Sequence, residues 1–171
     1  YMSIEPKECE LANISTNGST FSIKNGRRIL FFGLSKVEIY LPKSYKNSLS
    51  IETVSGEIEF NDNFELKIVE LSSSSGKIHF NNMISDSIDI KTVSGCINAN
   101  ELHYIKLNNS LIKMQSASGS INLNEISAES INIVTISGKI KVGKLDGSHS
   151  IKSTSGSLEI IYATTSGKYQ T

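Results

Sequence analysis

The dipeptide Ser-Gly returns six times in phase, as Ser55-Gly56, Ser75-Gly76, Ser94-Gly95, Ser118-Gly119, Ser137-Gly138 and Ser155-Gly156. The glycine-to-glycine spacings are 20, 19, 24, 19 and 18 residues. A period near 20 marks a chain that folds by stacking one short unit on the next. With each glycine set to zero, the flanking positions align. Five before it stand Ile51, Leu71, Ile90, Met114, Ile133 and Ile151; seven before it stand Leu49, Val69, Ile88, Ile112, Ile131 and His149. Two after it stand Ile58, Ile78, Ile97, Ile121, Ile140 and Leu158; four after it stand Phe60, Phe80, Ala99, Leu123, Val142 and Ile160. Apolar residues at every second position on both sides of a fixed turn describe two short strands per repeat, each with one buried face. A looser third apolar position follows at Phe64, Met83-Ile84, Leu102, Ile126 and Leu145.

One such coil cannot bury its own apolar face, whereas stacked coils place isoleucine over isoleucine in a continuous core. The expected fold is therefore all-β: a single-stranded parallel β-helix, or solenoid, of about six short rungs over residues 48–171. Residues 1–47 lack the repeat and form an N-terminal β cap or leading sheet. Strands are expected there over 4–14, 20–23 and 28–32, with turns at Asn17-Gly18 and Asn25-Gly26, and Val37, Ile39 and Leu41 alternate into Pro42. The competing geometry is an antiparallel meander with Ser-Gly as a hairpin loop. A meander does not require the same residues at the same turn every 19 or so positions.

The twelve Ser-Gly residues read as structural corners. The serines invite a nucleophile reading, but six equivalent serines point to corner hydroxyls that cap turns. The glycines supply a positive φ or let successive corners approach closely. Thr53, Ser73, Thr92, Ser116, Thr135 and Ser153, three before each glycine, share the parity of the buried isoleucines and predict a hydroxyl ladder beside the corner. A seventh Ser-Gly, Ser166-Gly167, follows after only 11 residues and reads as a final partial rung.

The fourth repeat is longer by about five residues around 98–109, and solenoid insertions map to loops on one side. His103 and Tyr104 are the first candidate surface binding residues. No catalytic residue, metal ligand or cofactor is expected. His79, His103 and His149 are scattered, with His79 facing solvent and His149 in a core column near the last rung. The acids Asp62, Asp86, Asp89 and Asp146 fall in turns and make no calcium loop. Cys9 and Cys96 lie far apart and need not pair. With 17 Lys and Arg against 17 Asp and Glu, the net charge is zero, which argues against nucleic acid as a partner. No apolar run is long enough to span a bilayer.

The run Val37-Glu38-Ile39-Tyr40-Leu41-Pro42 leads into Thr53-Val54-Ser55-Gly56-Glu57-Ile58, and the Thr-x-Ser-Gly-x-Ile unit returns from Thr92 to Ile97 and from Thr135 to Ile140. In this the chain resembles a bacterial family of uncharacterised, adhesin-like β-helical domains. The resemblance implies a non-catalytic cell-envelope or secreted interaction domain. Its partner would be an envelope component, a glycan or a protein. It also implies a place at the cell surface, membrane-anchored or secreted, with the anchor or signal outside this stretch. The alternatives are a structural or regulatory ectodomain in envelope-stress sensing and, against the short coils, a carbohydrate-active β-helix enzyme.

Overall fold

A computed structural model describes residues 12–17, 20–25, 44–103 and 110–171. The described chain is all-β, with no helix, and winds a parallel β-solenoid of about six turns. Strands β1 (Ala12–Asn17) and β2 (Thr20–Asn25) pair antiparallel, Asn17 opposite Thr20, with two residues between them. β2 then pairs parallel with β3 (Ser48–Thr53), Phe21 opposite Leu49 and Ile23 opposite Ile51. The strands expected over 28–32 and 37–41, the turn at Asn25-Gly26, and Cys9 lie outside the described residues.

From β3 onward every pairing is parallel, and the meander is excluded. β4 (Ile58–Phe60), β5 (Phe64–Ser73), β6 (Ile78–Thr92), β7 (Ile97–His103) and β8 (Leu111–Ser116) follow in order. β9 (Ile121–Thr135), β10 (Ile140–Ser153), β11 (Leu158–Ala163) and β12 (Gly167–Gln170) complete the stack. Rungs are numbered one to six here by their corner glycines, Gly56 to Gly156. The two expected strands per repeat merge: β6, β9 and β10 run 15, 15 and 14 residues from just after one glycine to three before the next. Each coil bends twice within that length, giving three walls. The first follows the glycine, the second carries the third apolar position, and the third leads back to the next corner.

The columns fall where the repeat places them. Ile58, Ile78, Ile97, Ile121, Ile140 and Leu158 stack in register. So do Leu49, Val69, Ile88, Ile112 and Ile131. Ile78, Ile97, Ile121 and Ile140 have no solvent exposure, and each contributes on the order of 2 kcal/mol by burial. In the third column Met83 is buried and Ile84 is exposed, because only one of two consecutive strand residues can point inward. Leu66, Ser85 and Ala128 also face in, at positions the repeat did not single out.

Of the two reasons for glycine at the corners, positive φ and close approach, the structure selects the second. None of the six corner glycines has positive φ. Instead, a Cβ on Gly76, Gly95, Gly119, Gly138 or Gly156 would stand 1.8–2.1 Å from the carbonyl oxygen of the glycine one rung earlier. Close approach of successive corners, not backbone handedness, is what demands glycine. The buried hydroxyls three residues before stack in register beside the corner, as the expected ladder. Each accepts the N–H of its own corner glycine, as in Gly95 N to Thr92 Oγ1 at 2.9 Å and Gly119 N to Ser116 Oγ at 2.8 Å. The turn cap expected of the Ser-Gly serine is therefore made by this other residue. The serines bridge rungs: Ser75 donates both its N–H and its hydroxyl to Val54 O, at 3.0 and 3.2 Å, and Ser94 does the same to Ser74 O, at 2.9 and 3.2 Å.

Ser166-Gly167 is not a seventh corner. Gly167 pairs with His149, so it sits in the column of Leu49 and Ile131. His149 is buried there, Nδ1 donating to Gly147 O at 2.8 Å and Nε2 bonded to the Tyr169 hydroxyl at 2.5 Å. The imidazole fills the space over Gly167, where a Cβ would come within 1.9 Å of the ring. Gly147 has the positive φ, 117°, at a bulge between Asp146 and Ser148.

Candidate functional site

Because strand residues alternate, everything that is not core projects from the three walls in outward columns one rung apart. On the first wall these columns carry ion pairs and amides. Glu159 receives Lys139 at 2.7 Å and Lys141 at 3.2 Å, and hydrogen bonds from these two ammonium groups hold its carboxyl below the usual carboxylate range. Asn122 donates to Asn98 at 2.9 Å. At the bend into the second wall Asn124 donates to Asn100 at 2.8 Å. Lys144 reaches Glu125 at 2.8 Å, and that hydrogen bond raises the lysine above its ordinary value. These groups are occupied with one another along the stack.

The third wall is different. Its outward columns lie six, four and two residues before each glycine. At rungs one to three they bring Ser50, Glu52, Glu70, Ser72, Asp89 and Lys91 around an open depression of about 300 Å³, with Ile51 and Leu71 beneath. Lys91 bonds one oxygen of Asp89 at 2.8 Å, and the other oxygen is buried without a hydrogen-bond partner. Beside the depression Val54 and Val93 stand 48% and 57% exposed, with Ser74 between them. A depression this shallow does not enclose a small molecule. What it offers is a strip of carboxylates, hydroxyls and aliphatic edges for a ligand lying along the wall.

Of the sequence candidates, His103 falls elsewhere. His103 ends β7, half-exposed, with Nε2 3.7 Å from Glu101 Oε2. Tyr104 lies outside the described residues. Asp86, Asp89 and Asp146 are in strands, not turns, because β6 and β10 continue through the bends. His79 points away from the core, but its neighbours half-bury it and its Nδ1 has no hydrogen-bond partner. Cys96 is a free thiol. Among the described residues no group of three or more His, Cys, Asp or Glu is placed to hold a metal ion, and no helix is long and apolar enough to cross a membrane.

The signal for the wall was in the repeat. Glu52 and Lys91 share one outward offset, and Glu70 and Asp89 share another, but outward positions carry no pattern until the core register is known.

The family model described as Toastrack DUF4097 matches residues 8–171. No curated protein and no solved structure matches the chain.

Proposed function

From the premise that the chain belongs to the Toastrack DUF4097 family, we propose that it is a non-catalytic interaction domain of the cell envelope or of a secreted protein, adhesin-like in its use. The observation that carries this reading is the third wall. It is flat, open and continuous across rungs, and it mixes carboxylates, hydroxyls and exposed valines. Such a surface suits an extended ligand, either a glycan whose hydroxyls pair with Glu70, Ser72 and Asp89 or a partner protein's strand or loop. Parallel ladders hold these residues on a rigid sheet, so little order is lost when a ligand binds.

The test is binding to a broad glycan array and recovery of partners from envelope extract, each with the wild type and with Glu70→Arg. Glu70 is exposed, so reversing its charge leaves the core intact. A defined glycan or envelope protein bound by the wild type and weakened about tenfold or more by the variant supports the reading. A ligand bound equally well by both sinks the placement on this wall. If neither assay yields a ligand, the spacer or regulatory ectodomain takes its place.

A further inference from the structure

One buried titratable group has no part in the outward strip of the third wall. The inward column seven residues before each glycine runs Leu49, Val69, Ile88, Ile112, Ile131 and then His149. An imidazole thus replaces an aliphatic side chain in the last full coil, directly beneath β12. It is 4% exposed. Both ring nitrogens are committed. Gly147 O can only accept, so Nδ1 carries a proton, and Nε2 of the neutral ring accepts from the Tyr169 hydroxyl.

Little else holds β12. It has four residues, all exposed, and it pairs with β10 alone, Gly167 opposite His149 and Gln170 opposite Lys152. Its one side-chain hydrogen bond among the described residues is that of Tyr169 to His149. Gly167 leaves the space that the imidazole fills. The Tyr169 ring, centred 5.1 Å from the imidazole, covers Ile151, which is 1% exposed.

We propose that β12 is an acid-released strap and His149 its catch. The uncharged ring holds the strand down; protonation lets it go and bares the edge of β10 from His149 to Lys152. In the closed strap an imidazolium has no acid to answer it. From β9 the ring faces Ile131, and the inward residues of β11 are Leu158, Ile160 and Ala163. From β12 it faces Tyr169, whose hydroxyl can turn to accept a proton but is no counter-ion. On β10 itself Asp146 is bonded to Thr164 and Ser127, while Lys152, like Lys168 of β12, is exposed and points outward. A buried charge without a partner is costly. Lifting β12 gives the ring to water at the loss of a four-residue ladder. Docking is therefore complete while the ring is neutral and is lost as it takes up a proton. Opening uncovers Ile151 and a row of unpaired backbone groups, the kind of edge to which an extended strand of another chain adds.

Hydrogen exchange of the whole chain, followed by mass spectrometry at about pH 7.5 and about pH 5 and corrected for the intrinsic rate, tests this. Residues 148–153 and 167–170 should lose about tenfold or more of their protection in acid, while rungs two to four keep theirs. Glu159 stays ionised over this range, its carboxyl being held below the usual one, so the first-wall ion pairs are not the cause. His149→Leu removes the proton site in a column that accepts leucine at Leu49, and its protection should agree at the two pH values within about twofold. Tyr169→Phe strands Nε2 and should lower the strap's protection at neutral pH by about tenfold, leaving rungs two to four unchanged. Wild-type protection that is the same in acid overturns the proposal, as does a Tyr169→Phe strap as firm as wild type or a His149→Leu protein that keeps the acid loss. Should His149→Leu fail to fold, nitrogen NMR of the wild-type imidazoles decides. Opening must follow the titration of His149, and opening that follows another group overturns the proposal.

Discussion

Replacing Gly119 by alanine puts the corner geometry under direct load. A Cβ there would lie 1.8 Å from Gly95 O and 2.6 Å from Gly95 C, both backbone atoms of the rung below. Non-bonded heavy atoms need about 3.5 Å, so the fourth corner must lift by well over an ångström against a rung spacing of ~4.8 Å. The bonds spanning that gap are Ser118 N to Val93 O at 2.8 Å, Ala117 N to Thr92 O at 3.3 Å and Ile97 N to Ser120 O at 2.9 Å. Stretched by an ångström they cease to be hydrogen bonds. At about 1 kcal/mol each, with further loss from loosened packing, the cost is about 3–5 kcal/mol. For a chain of this size that lowers the melting temperature by roughly 10 °C. Thermal denaturation followed by circular dichroism measures it, and amide exchange should place the loosening in rungs three to five. Gly143→Ala is the matched control. Its Cβ would stand 2.5 Å from Asn124 O, a smaller overlap than the 1.8 Å at Gly119, and away from the corner. It should cost less than half as much. A Gly119→Ala protein melting within two or so degrees of wild type, or a Gly143→Ala as damaging, refutes close approach as the reason for glycine.

Three further outcomes follow from the same geometry. Ile97→Asp buries an unpaired carboxylate in a column with no solvent exposure and should prevent folding or cost about 4 kcal/mol or more, whereas Lys91→Ala, outward on the third wall, should change stability by less than about 0.5 kcal/mol in denaturant titration. Thr135→Val strands the N–H of Gly138, now 3.0 Å from the threonine hydroxyl, and should cost about 1–3 kcal/mol in the same titration. Thr135→Ser keeps the acceptor, as Ser116 and Ser153 do in their rungs, and should be nearly neutral. Glu159, its carboxyl depressed by Lys139 and Lys141, supports the folded state above the ordinary glutamate range and ceases to do so as pH falls through its lowered value. Melting curves from pH 6 to pH 3 should therefore fall more steeply for wild type than for Glu159→Gln, and high salt should narrow the difference.

The periodicity of the chain determined the solenoid by itself. Apolar residues at identical offsets in six repeats leave one way to bury them together, and alternation decides which side of each strand is core. The same logic placed His149 in a core column before any coordinates. The local repeat could not tell why glycine holds the corner, because positive φ and close approach leave the same residue in the sequence. Only the rungs in contact distinguish them. Nor could it see that Ser166-Gly167 shifts into the His149 column, since a dipeptide carries no register without its neighbour. His103 stood out because an insertion is visible in one dimension. The third wall did not, because its residues are brought together from rungs about 20 positions apart. Local periodicity wrote the core. Stacking decided the surface, because a column exists only once one coil rests on the next.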